Sequence, residues 1–592
     1  MAYSPRRKTF DIATFRKPKR WKNFDVIESV EGVDTETFAN GYAFLMCVSD
    51  GRVFRFRQQE DVIAALTLDG HYALYNLDYD ATAILKWLGR DLCKKLYEHA
   101  DISWRGLEIR YIPHKILRVR DGMRWTHFYD IAQFCQVGGR RIPLSQAAKW
   151  VKMEKLKPNV PMPFEEEHFD DKGVEEYCMQ DSRIAGALGN HVIALYNKHD
   201  IPVGTLMSPA TIAERFIMDA FGAKVADISS WPEGAVKYTV DAYMPPWRDC
   251  YRAGFFPEMH NYDINACFPS TVRRLPRMDG GYWQYHEGAP LRTGVTLAYI
   301  KCELHVPENH FCPWIAVKRA PGRYYNPAGE FTKVLTQRGY QYARELGWVK
   351  RVIDGRYFQR THFEMPFINT TDYLLAQAGK YERGALERSL MKATVNASTG
   401  KFRQMGASGT SRLANPAYSA EIMTDARIAI HKIAREHPEK LIGVHTDCIY
   451  STAPIELNGQ GGKDPGQWAL RGIQPFLMVN AGVFQHGKDY LVWACQQDGG
   501  QRVYRTPETH VMRPVSFRQA MQTNQFEQMG RWIIPKPAGF DISKQGMGRE
   551  WPKHPRCGRD LLEKVYESQP WVHPVLGDMT VFDDVEQEGV SL

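Results

Sequence analysis

The chain of 592 residues has a formal net charge of +8, a sequence pI of about 8.7, 44% hydrophobic residues and 24% charged residues. This composition predicts a globular chain of about four domains and excludes an intrinsically disordered one. The eleven cysteines form no C-x-x-C pair, and no apolar run reaches the length of a membrane span. We therefore expect reduced thiols, a cytoplasmic location and no membrane association.

Both ends of the chain are strongly charged. Residues 1–27 are rich in lysine and arginine and contain no apolar segment after these charges. A secretory signal needs such a segment, so we predict a solvated basic tail. Residues 576–592 are acidic, and we expect a second exposed tail there.

Carboxylates recur near predicted strand and helix boundaries in the first third of the chain. Asp34 and Glu36 are two residues apart, so on a strand both side chains lie on one face. Asp80 lies near a predicted strand–helix junction, and Asp181 shares one face of a long predicted helix with Tyr177. Each could be an ordinary solvated residue. Together they suit two hard cations bound by oxygen ligands.

Two further carboxylates lie at the ends of predicted strands later in the chain. Asp263 precedes a turn, an aromatic ring and a proline, and by itself it could equally be a turn aspartate. Asp447 lies between two short apolar strands, at the tip of a predicted hairpin. Two carboxylates delivered in this way could hold two divalent cations for phosphoryl transfer.

Residues 380–402 predict a helix with Gly400 near its C-terminal end. Arg388, Lys392 and Asn396 are four residues apart and line one face of this helix. Such a face can neutralise the charge of a triphosphate. The alternative is a solvated basic surface.

Three segments resemble the motifs of the 3′–5′ proofreading exonuclease of family B DNA polymerases. They are Asp34-x-Glu36, Asn76-x-x-Tyr79-Asp80 and Tyr177-x-x-x-Asp181. The resemblance implies that the four carboxylates bind the exonuclease metals, that Tyr177 orients the attacking water and that Asn76 contacts DNA. Lys157 matches the additional lysine that the protein-primed branch uses beside these metals. At Tyr129-Asp130 the chain departs from the Ser/Thr-Leu pair with which that branch binds single strands.

The segments around Asp263 and Asp447 resemble polymerase motifs A and C. By this resemblance, both aspartates and the carbonyl of Ile264 bind metal. Phe268 stands at the position of the steric-gate tyrosine, whose ring excludes a ribose 2′-hydroxyl. His445 replaces the first aspartate of motif C. Histidine is a poor Mg²⁺ ligand, so we expect an altered metal preference.

The helix face resembles motif B of the fingers, Lys392-x-x-x-Asn396-x-x-x-Gly400. The resemblance implies that Lys392 and Asn396 bind the incoming nucleotide and that Gly400 contacts DNA. Lys380 falls where the protein-primed branch has a second triphosphate-binding lysine, and we expect Arg388 to assist.

Two shorter motifs imply further DNA contacts. Tyr251-x-x-Gly254 resembles the Tyr-x-Gly/Ala-Gly segment between exonuclease and polymerase. There, a glycine lets the backbone approach a DNA phosphate closely. Lys488-x-Tyr490 resembles the Lys-x-Tyr motif that steadies the primer terminus.

The resemblance implies an α+β multidomain fold, in which an RNase H-like 3′–5′ exonuclease domain precedes a right-hand polymerase. The expected segments in chain order are a basic tail (1–27), the exonuclease domain (28–198), the first part of the palm (199–280), an insertion like the first terminal-protein region (281–370), the fingers (371–403), the second part of the palm (404–495), the thumb (496–575) and an acidic tail (576–592). The second terminal-protein region, expected after Gly400, is shortened to a link that ends near residue 418. This predicts weaker strand displacement and processivity.

We therefore expect a template-directed DNA polymerase with a proofreading exonuclease, which replicates a phage or plasmid genome in the host cytoplasm by protein priming. Its expected ligands are Mg²⁺, with Mn²⁺ as the alternative, primer–template DNA and deoxynucleoside triphosphates. The expected protein partners are a terminal protein and a single-stranded-DNA-binding protein, and we expect a monomer. Three alternatives stay open: an exonuclease whose polymerase half only grips DNA, a non-catalytic DNA-binding protein, and a primer-independent polymerase.

Overall fold

The computed structural model describes residues 26–137, 140–220, 226–288, 295–320, 323–382, 385–405, 410–481, 483–486, 494–498, 501–505, 513–533, 549–551 and 564–573. The predicted basic tail up to residue 25, the Lys488-x-Tyr490 motif and the predicted acidic tail lie outside these residues. Among the helices in these ranges, none is both long enough and apolar enough to cross a membrane.

The N-terminal region is built on one mixed sheet. Its elements are β1 (Glu31–Thr37), β2 (Ala43–Val48), β3 (Val53–Arg55), α1 (Gln59–Leu66), β4 (Gly70–Leu74), α2 (Leu77–Leu85), α3 (Arg90–His99), β5 (Asp101–Trp104), β6 (Leu107–Ile112), β7 (Ile116–Asp121), β8 (Arg124–Asp130), β9 (Gln136–Val137), β10 (Arg140–Arg141), α4 (Leu144–Ala147) and α5 (Lys172–Lys198). The strand order in the sheet is β3-β2-β1-β4-β8-β7-β6-β5. β4 is parallel to both β1 and β8, and the other neighbours are antiparallel.

Helix α5 lies unusually close to β1. A Cβ atom on Gly32 would lie 1.7 Å from the carbonyl oxygen of Ser182, and one on Gly186 would lie 2.7 Å from the Gly32 nitrogen. Only glycine permits this approach, because it has no side chain. The contact places the predicted helix of Tyr177 and Asp181 directly against the strand that carries the first two carboxylates.

The remainder of the chain adds a seven-stranded sheet, a five-stranded sheet and their helices. Its elements are α6 (Pro209–Arg215), α7 (Glu233–Ala242), β11 (Trp247–Cys250), β12 (Arg252–Ile264), α8 (Cys267–Val272), β13 (Tyr282–Glu287), β14 (Leu297–Val306), β15 (Val317–Ala320), β16 (Arg323–Tyr325), β17 (Ala328–Thr336), α9 (Gln337–Glu345), β18 (Val349–Gln359), α10 (Ile368–Gly379), α11 (Leu386–Arg403), α12 (Pro416–Ala434), β19 (Leu441–Thr446), β20 (Cys448–Ser451), β21 (Trp468–Asn480), β22 (Val483–His486), β23 (Ala494–Asp498), β24 (Gln501–Arg505), β25 (Arg513–Pro514), α13 (Phe517–Gln522), β26 (Trp532–Ile533), β27 (Arg549–Glu550), β28 (Tyr566–Glu567), β29 (Gln569–Pro570) and β30 (Val572–His573).

The first of these sheets, which we call the central sheet, has the order β11-β19-β20-β12-β21-β22, and β28 also pairs with β12. The second sheet has the order β13-β18-β14-β17-β30 and comes largely from the predicted insertion. The two sheets share one hydrophobic core, which includes Trp247 and Tyr262 from the central sheet and Ile300 and Tyr357 from the second. The segment 281–370 therefore packs onto the central sheet.

The predicted thumb, 496–575, is divided in its described parts. Val515, Phe517 and Met529 enter the core of the N-terminal region. By contrast, β28 and β30 add strands to the central and second sheets. These described parts do not form one separate body, because they complete a core and sheets that belong to different regions.

Lys86 fastens the segment 513–533 to the N-terminal region. Its ammonium group donates to the carbonyl oxygens of Asn40 and Met529, both at 2.6 Å, and lies 4.9 Å from the centre of the Tyr42 ring. Burial lowers the pKa of Lys86 to about 8. The buried ammonium is tolerated because backbone carbonyls surround it.

Candidate active sites

The central sheet brings Asp263 and Asp447 together. Asp263 is the penultimate residue of β12, and Asp447 forms the turn between β19 and β20. Thr446 before it has a φ of 66°, which allows the tight hairpin. The backbone N–H of Ile264 donates to the carbonyl oxygen of Asp447 at 3.0 Å, so the two strand ends are directly linked. The predicted hairpin is confirmed.

A cavity of about 410 Å³ opens at these strand ends. Its lining includes Asp263, Asp447 and Phe268 from the central sheet and α8, with Lys392 and Asn396 from α11. Ile264, Thr399 and Gly400 also border it. The predicted motifs therefore converge on one space.

Burial raises the pKa of Asp447 to about 7, and the neighbouring Asp263 carboxylate adds to this rise. Burial also raises the pKa of Asp263, whereas Arg471 and Lys392 oppose it. Two carboxylates that share a poorly solvated site repel each other, and a bound cation relieves that repulsion.

Arg471 is a site residue that the sequence did not predict. Its guanidinium group binds the Asp263 carboxylate, with Nε at 2.8 Å and Nη2 at 2.7 Å, and Nη2 also donates to Asn265 at 2.7 Å. Arg471 is the extra residue of a β-bulge, because Leu470 and Gly472 pair with consecutive residues of β12. A bulge turns a side chain away from the face that the regular alternation of a strand predicts. The sequence periodicity therefore did not reveal that Arg471 reaches Asp263.

The predicted nucleotide-binding set is only partly assembled. Lys392 and Asn396 lie on an exposed face of α11 and border the cavity. Arg388 instead donates to the carbonyl oxygens of Ala378 at 3.2 Å and Tyr381 at 2.9 Å, where it caps the end of α10. We correct its predicted role accordingly. Lys380 follows α10, is exposed and does not border the cavity among the described residues.

Arg403 is another cavity residue that sequence reasoning missed. Its guanidinium lies 3.5 Å from the centre of the Tyr243 ring, and both residues line the cavity. Arg403 follows Gly400 by three residues on α11, so extending the predicted face by one turn would have found it.

The contacts of His445 do not support a role as a metal ligand. Its ring packs edge-on against Phe484, with centroids 5.2 Å apart, and it is absent from the described cavity lining. Burial, followed by Arg248, lowers its pKa. An imidazole at this position carries no negative charge, so the hairpin has one carboxylate fewer than a further aspartate would give it.

The four N-terminal carboxylates also converge. Asp34 and Glu36 lie on β1, Asp80 in the first turn of α2 and Asp181 on α5. Glu36, Asp80 and Asp181 are at most 4% exposed. Burial and repulsion from Asp181 raise the pKa values of Asp34 and Glu36 well above their usual range.

Asp80 is held by the strand it faces. Its Oδ1 accepts from the backbone N–H of Thr35 at 3.1 Å and from the Thr35 hydroxyl at 2.8 Å. Burial nevertheless raises the pKa of Asp80 to about 7. The predicted grouping of Asp80 with the strand pair is thus present, with one carboxylate oxygen already fixed.

We expect divalent cations to stabilise the protein more at pH 8 than at pH 6. Because the pKa values of Asp80 and Asp447 are raised to about 7, the folded cation-free protein binds more protons than the unfolded chain below this pH. Its stability must then fall as pH rises towards and through 7, where ionised carboxylates repel each other. Differential scanning fluorimetry with and without Mg²⁺ at both pH values measures this, and an equal or larger gain at pH 6 would contradict it.

Lys155, and not the predicted Lys157, lies at the N-terminal site. The ammonium group of Lys155 forms an ion pair with Asp181, lies 2.9 Å from the Tyr177 hydroxyl and lies 4.4 Å from the centre of that ring. Lys157 is exposed. The segment between α4 and α5 is irregular around these residues, so no strand or helix periodicity selects which lysine turns inward. We transfer the predicted role to Lys155.

We expect Lys155→Met to lower 3′–5′ degradation by about 10²-fold, because the lysine orients Tyr177 and Asp181. Lys157→Met is the matched control, and it should degrade DNA at the wild-type rate. Degradation of a 5′-labelled single strand, followed on a sequencing gel, measures both. A larger loss with Lys157→Met would restore the original assignment.

Asn76 and Asp130 form a supported turn beside the carboxylates. Asn76 has a φ of 69°, and its exposed side chain precedes α2. The fully buried Asp130 accepts from the backbone N–H groups of Asn76 and Ala132, both at 3.1 Å, and Arg141 lies 3.3 Å from its other oxygen. Asp130 therefore holds the turn that presents Asn76.

Tyr251 and Gly254, the predicted DNA contacts, lie where other parts of the protein cover them. The Tyr251 ring is fully buried, packs on Phe311 and lies 4.5 Å from the guanidinium carbon of Arg549. A Cβ on Gly254, whose φ is 151°, would lie 2.9 Å from the carbonyl oxygen of Lys564. The close backbone approach at this glycine is made by the returning chain before β28.

No protein-family model and no curated protein matches the chain. Among solved structures, Phi29 DNA polymerase complexed with single-stranded DNA aligns with a TM-score of 0.57 and 15% identity, over 81% of this chain and 90% of that chain. The ternary complex of Phi29 DNA polymerase with primer-template DNA and incoming nucleotides gives a TM-score of 0.56 and 16% identity over the same shares. The sequence resemblance is thus confirmed at the level of the fold. The chain has the fold of Phi29 DNA polymerase, a family B polymerase of the protein-primed type.

Proposed function

We propose that this chain is a DNA-directed DNA polymerase that carries a 3′–5′ exonuclease in its N-terminal region. The observation that carries the proposal is the cavity in which Asp263 and Asp447 face Lys392, Asn396 and Phe268. These are the residues that motifs A, B and C supply. The likeness in fold to a polymerase supports the same conclusion.

The exonuclease assignment has its own support. The antiparallel strands β3-β2-β1, followed by the parallel strands β4 and β8, have the order and directions of an RNase H-like sheet. The four carboxylates lie where β1 meets α2 and α5. We assign the 3′–5′ hydrolysis of DNA ends to this group.

Both carboxylate groups fit divalent cations. The Asp447 carboxylate is destabilised by burial and by Asp263, and the Oδ1 atom of Asp181 is buried with no hydrogen-bond partner among the described residues. Asp263, Asp447 and the carbonyl of Ile264 would hold Mg²⁺ at one site, and the Asp34 group at the other. When bound, the cations activate the attacking hydroxyl or water and stabilise the leaving group.

In the central cavity, the protein's own residues bind and orient the nucleotide. Lys392 and Asn396 present a donor-rich face to the triphosphate, and the Phe268 ring closes the space beside a deoxyribose. Arg471 neutralises Asp263 in the ligand-free protein. Its guanidinium group contacts the Oδ2 atom of Asp263, so it would compete with a cation for that oxygen.

In the N-terminal site, Lys155 and Tyr177 form one unit. The lysine holds the hydroxyl of Tyr177 and one oxygen of Asp181. We assign to this pair the orientation of the attacking water. Asn76, presented by the turn that Asp130 supports, is placed to contact the DNA end.

We infer protein priming from the fold, with a primer-independent start as the alternative.

The connection between α11 and α12 runs only from residue 404 to residue 415. Glu214 binds residues near both ends of this link. One of its carboxylate oxygens accepts a hydrogen bond from the Arg412 backbone N–H at 2.6 Å, and the other forms an ion pair with Lys401 at 2.8 Å. A short, anchored link leaves little chain to enclose a template.

We expect limited strand displacement and processivity as a result of this short link. A primed single-stranded circle, copied without helper proteins, measures both. Products should end once the polymerase meets the duplex that it has made. Products many circle lengths long would contradict this expectation.

A 5′-labelled primer annealed to a longer template tests the proposed function. With Mg²⁺ and four deoxynucleoside triphosphates the primer should lengthen, and with Mg²⁺ alone it should shorten. Shortening under both conditions would favour an exonuclease whose polymerase half only grips DNA. Binding without either reaction would favour a non-catalytic DNA-binding protein.

A further inference from the structure

A segment of irregular backbone follows β14 of the second sheet and packs against α12. Between β14 and β15, residues 307–316 form neither helix nor strand, yet the stretch from Cys312 to Ala316 is buried. Side-chain donors satisfy part of its backbone: Arg427 donates to the Trp314 carbonyl at 2.8 Å, and Arg549 donates to the Phe311 carbonyl at 2.9 Å. Irregular backbone at this depth needs such fixed partners.

Two imidazoles and a thiol converge where this segment meets α12. The Nε2 atoms of His310 and His431 are 2.9 Å apart. One ring nitrogen of each histidine and the Cys312 sulfur all lie within 4.8 Å of one another. His310 and Cys312 are two residues apart on the irregular segment, and His431 comes from the last turn of α12. Three potential ligands of a transition-metal site, two imidazoles and one thiol, are thus supplied by two separate elements.

The Tyr342 hydroxyl orients the cluster from outside. It lies 2.8 Å from Nδ1 of His431. When this hydroxyl accepts the Nδ1–H, the Nε2 lone pair of His431 is directed towards His310 and Cys312. A partner on the outer ring nitrogen is the usual support of a metal-bound histidine.

A hydrogen bond between the two histidines, without a metal, is the simpler explanation of their contact. It accounts for the 2.9 Å separation but gives no reason for a buried thiol beside both rings. In a tetrahedral zinc site the two nitrogens would be about 3.3 Å apart. The rings would therefore separate by only about 0.4 Å to admit the ion.

We propose that His310, Cys312 and His431 bind a zinc-class cation that fastens the segment 307–316 to α12. Nitrogen and sulfur ligands favour such a cation over Mg²⁺, which prefers oxygen. The site is therefore chemically distinct from both carboxylate sites. Because α12 leads into β19 and the Asp447 hairpin, the ion would stabilise the frame of the central cavity without contacting substrate.

Cobalt substitution tests the proposal on the full-length chain. The protein is stripped of metal with a chelator and titrated with Co²⁺ in a large excess of Mg²⁺, without DNA or nucleotide. We expect about one equivalent to bind with a sulfur-to-cobalt charge-transfer band in the near ultraviolet, and one equivalent of Zn²⁺ to abolish the band. No band, or a band that Zn²⁺ leaves unchanged, would overturn the proposal, and this wild-type measurement needs no variant to fold.

The variants identify the sulfur. Cys178 is the essential control, because it lies with Asp34 and Glu36 in a second potential ligand group. Cys312→Ser should remove the band, whereas Cys178→Ser and Cys302→Ser should keep it. Loss of the band in Cys178→Ser with retention in Cys312→Ser would place the cobalt at the N-terminal carboxylates and refute the site. His310→Gln, at a half-buried position, should weaken Co²⁺ binding by at least about tenfold. Because no reaction is measured, the result is independent of the proposed polymerase activity.

Discussion

Asp263→Ala and Asp447→Ala should each lower primer extension by about 10³-fold or more, while 3′–5′ degradation continues at the wild-type rate. Each aspartate is expected to hold a catalytic cation, whose charge stabilisation amounts to several kcal/mol of the barrier. Both aspartates line the same cavity, so loss of either leaves only one carboxylate of the pair. A primer-extension time course under single-turnover conditions measures the effect.

Glu439→Ala is the matched control for this pair. Glu439 is an exposed carboxylate just before β19, the strand that leads to Asp447. It should extend primers at the wild-type rate. Extension by Asp263→Ala and Asp447→Ala near the wild-type rate would show that the central cavity is not the polymerase centre.

Asp34→Ala combined with Glu36→Ala should have the reverse effect. Degradation of a DNA 3′ end should fall by about 10³-fold or more, because two of the four metal-binding carboxylates are removed. Primer extension should persist, since β1 lies in a different sheet from Asp263. The double variant should also be more stable than the wild type without cations, because burial and mutual repulsion disfavour these charges.

Glu31→Ala, on the exposed start of the same strand, is the control for the double variant. It should retain both reactions. If the double variant degrades DNA as fast as Glu31→Ala does, the N-terminal carboxylates are not the nuclease site.

The residues that could be predicted are those whose chemistry depends on a short local pattern. Asp447 was predictable because two apolar strands and a polar turn specify a hairpin tip, which the structure contains. Asp34 and Glu36 were predictable because the alternation of a strand places both on one face. Lys392 and Asn396 follow from helical spacing in the same way.

Apart from Arg403, the residues that were missed or assigned another role depend on contacts outside their own helix or strand. Arg471 reaches Asp263 through a bulge in β21, which no local period encodes. Tyr251 was predicted to contact DNA, but the chain around Arg549 and β28 returns from the far end of the sequence and buries it. Arg388 keeps the predicted helical spacing, but its guanidinium satisfies the open carbonyls of the neighbouring α10.

Lys155 illustrates a third limit. Both Lys155 and Lys157 lie in an irregular segment, so the identity of the inward lysine follows from the route of the backbone and not from a repeat.

The fold as a whole was predictable from motif order, since the exonuclease-like carboxylates precede the polymerase-like ones. The division of 496–575 between two regions was not, because its apolar residues complete cores that are built by earlier parts of the chain.

Single-nucleotide incorporation measures the central claim most directly. The Asp34→Ala, Glu36→Ala variant is mixed with Mg²⁺, one deoxynucleoside triphosphate at a time, and primer–templates that differ only in the templating base. We predict that the primer gains a nucleotide only when the triphosphate is complementary to that base, and that Asp447→Ala in the same background abolishes the gain. Addition that ignores the template, or no addition with any of the four nucleotides, would contradict the assignment of this chain as a template-directed DNA polymerase.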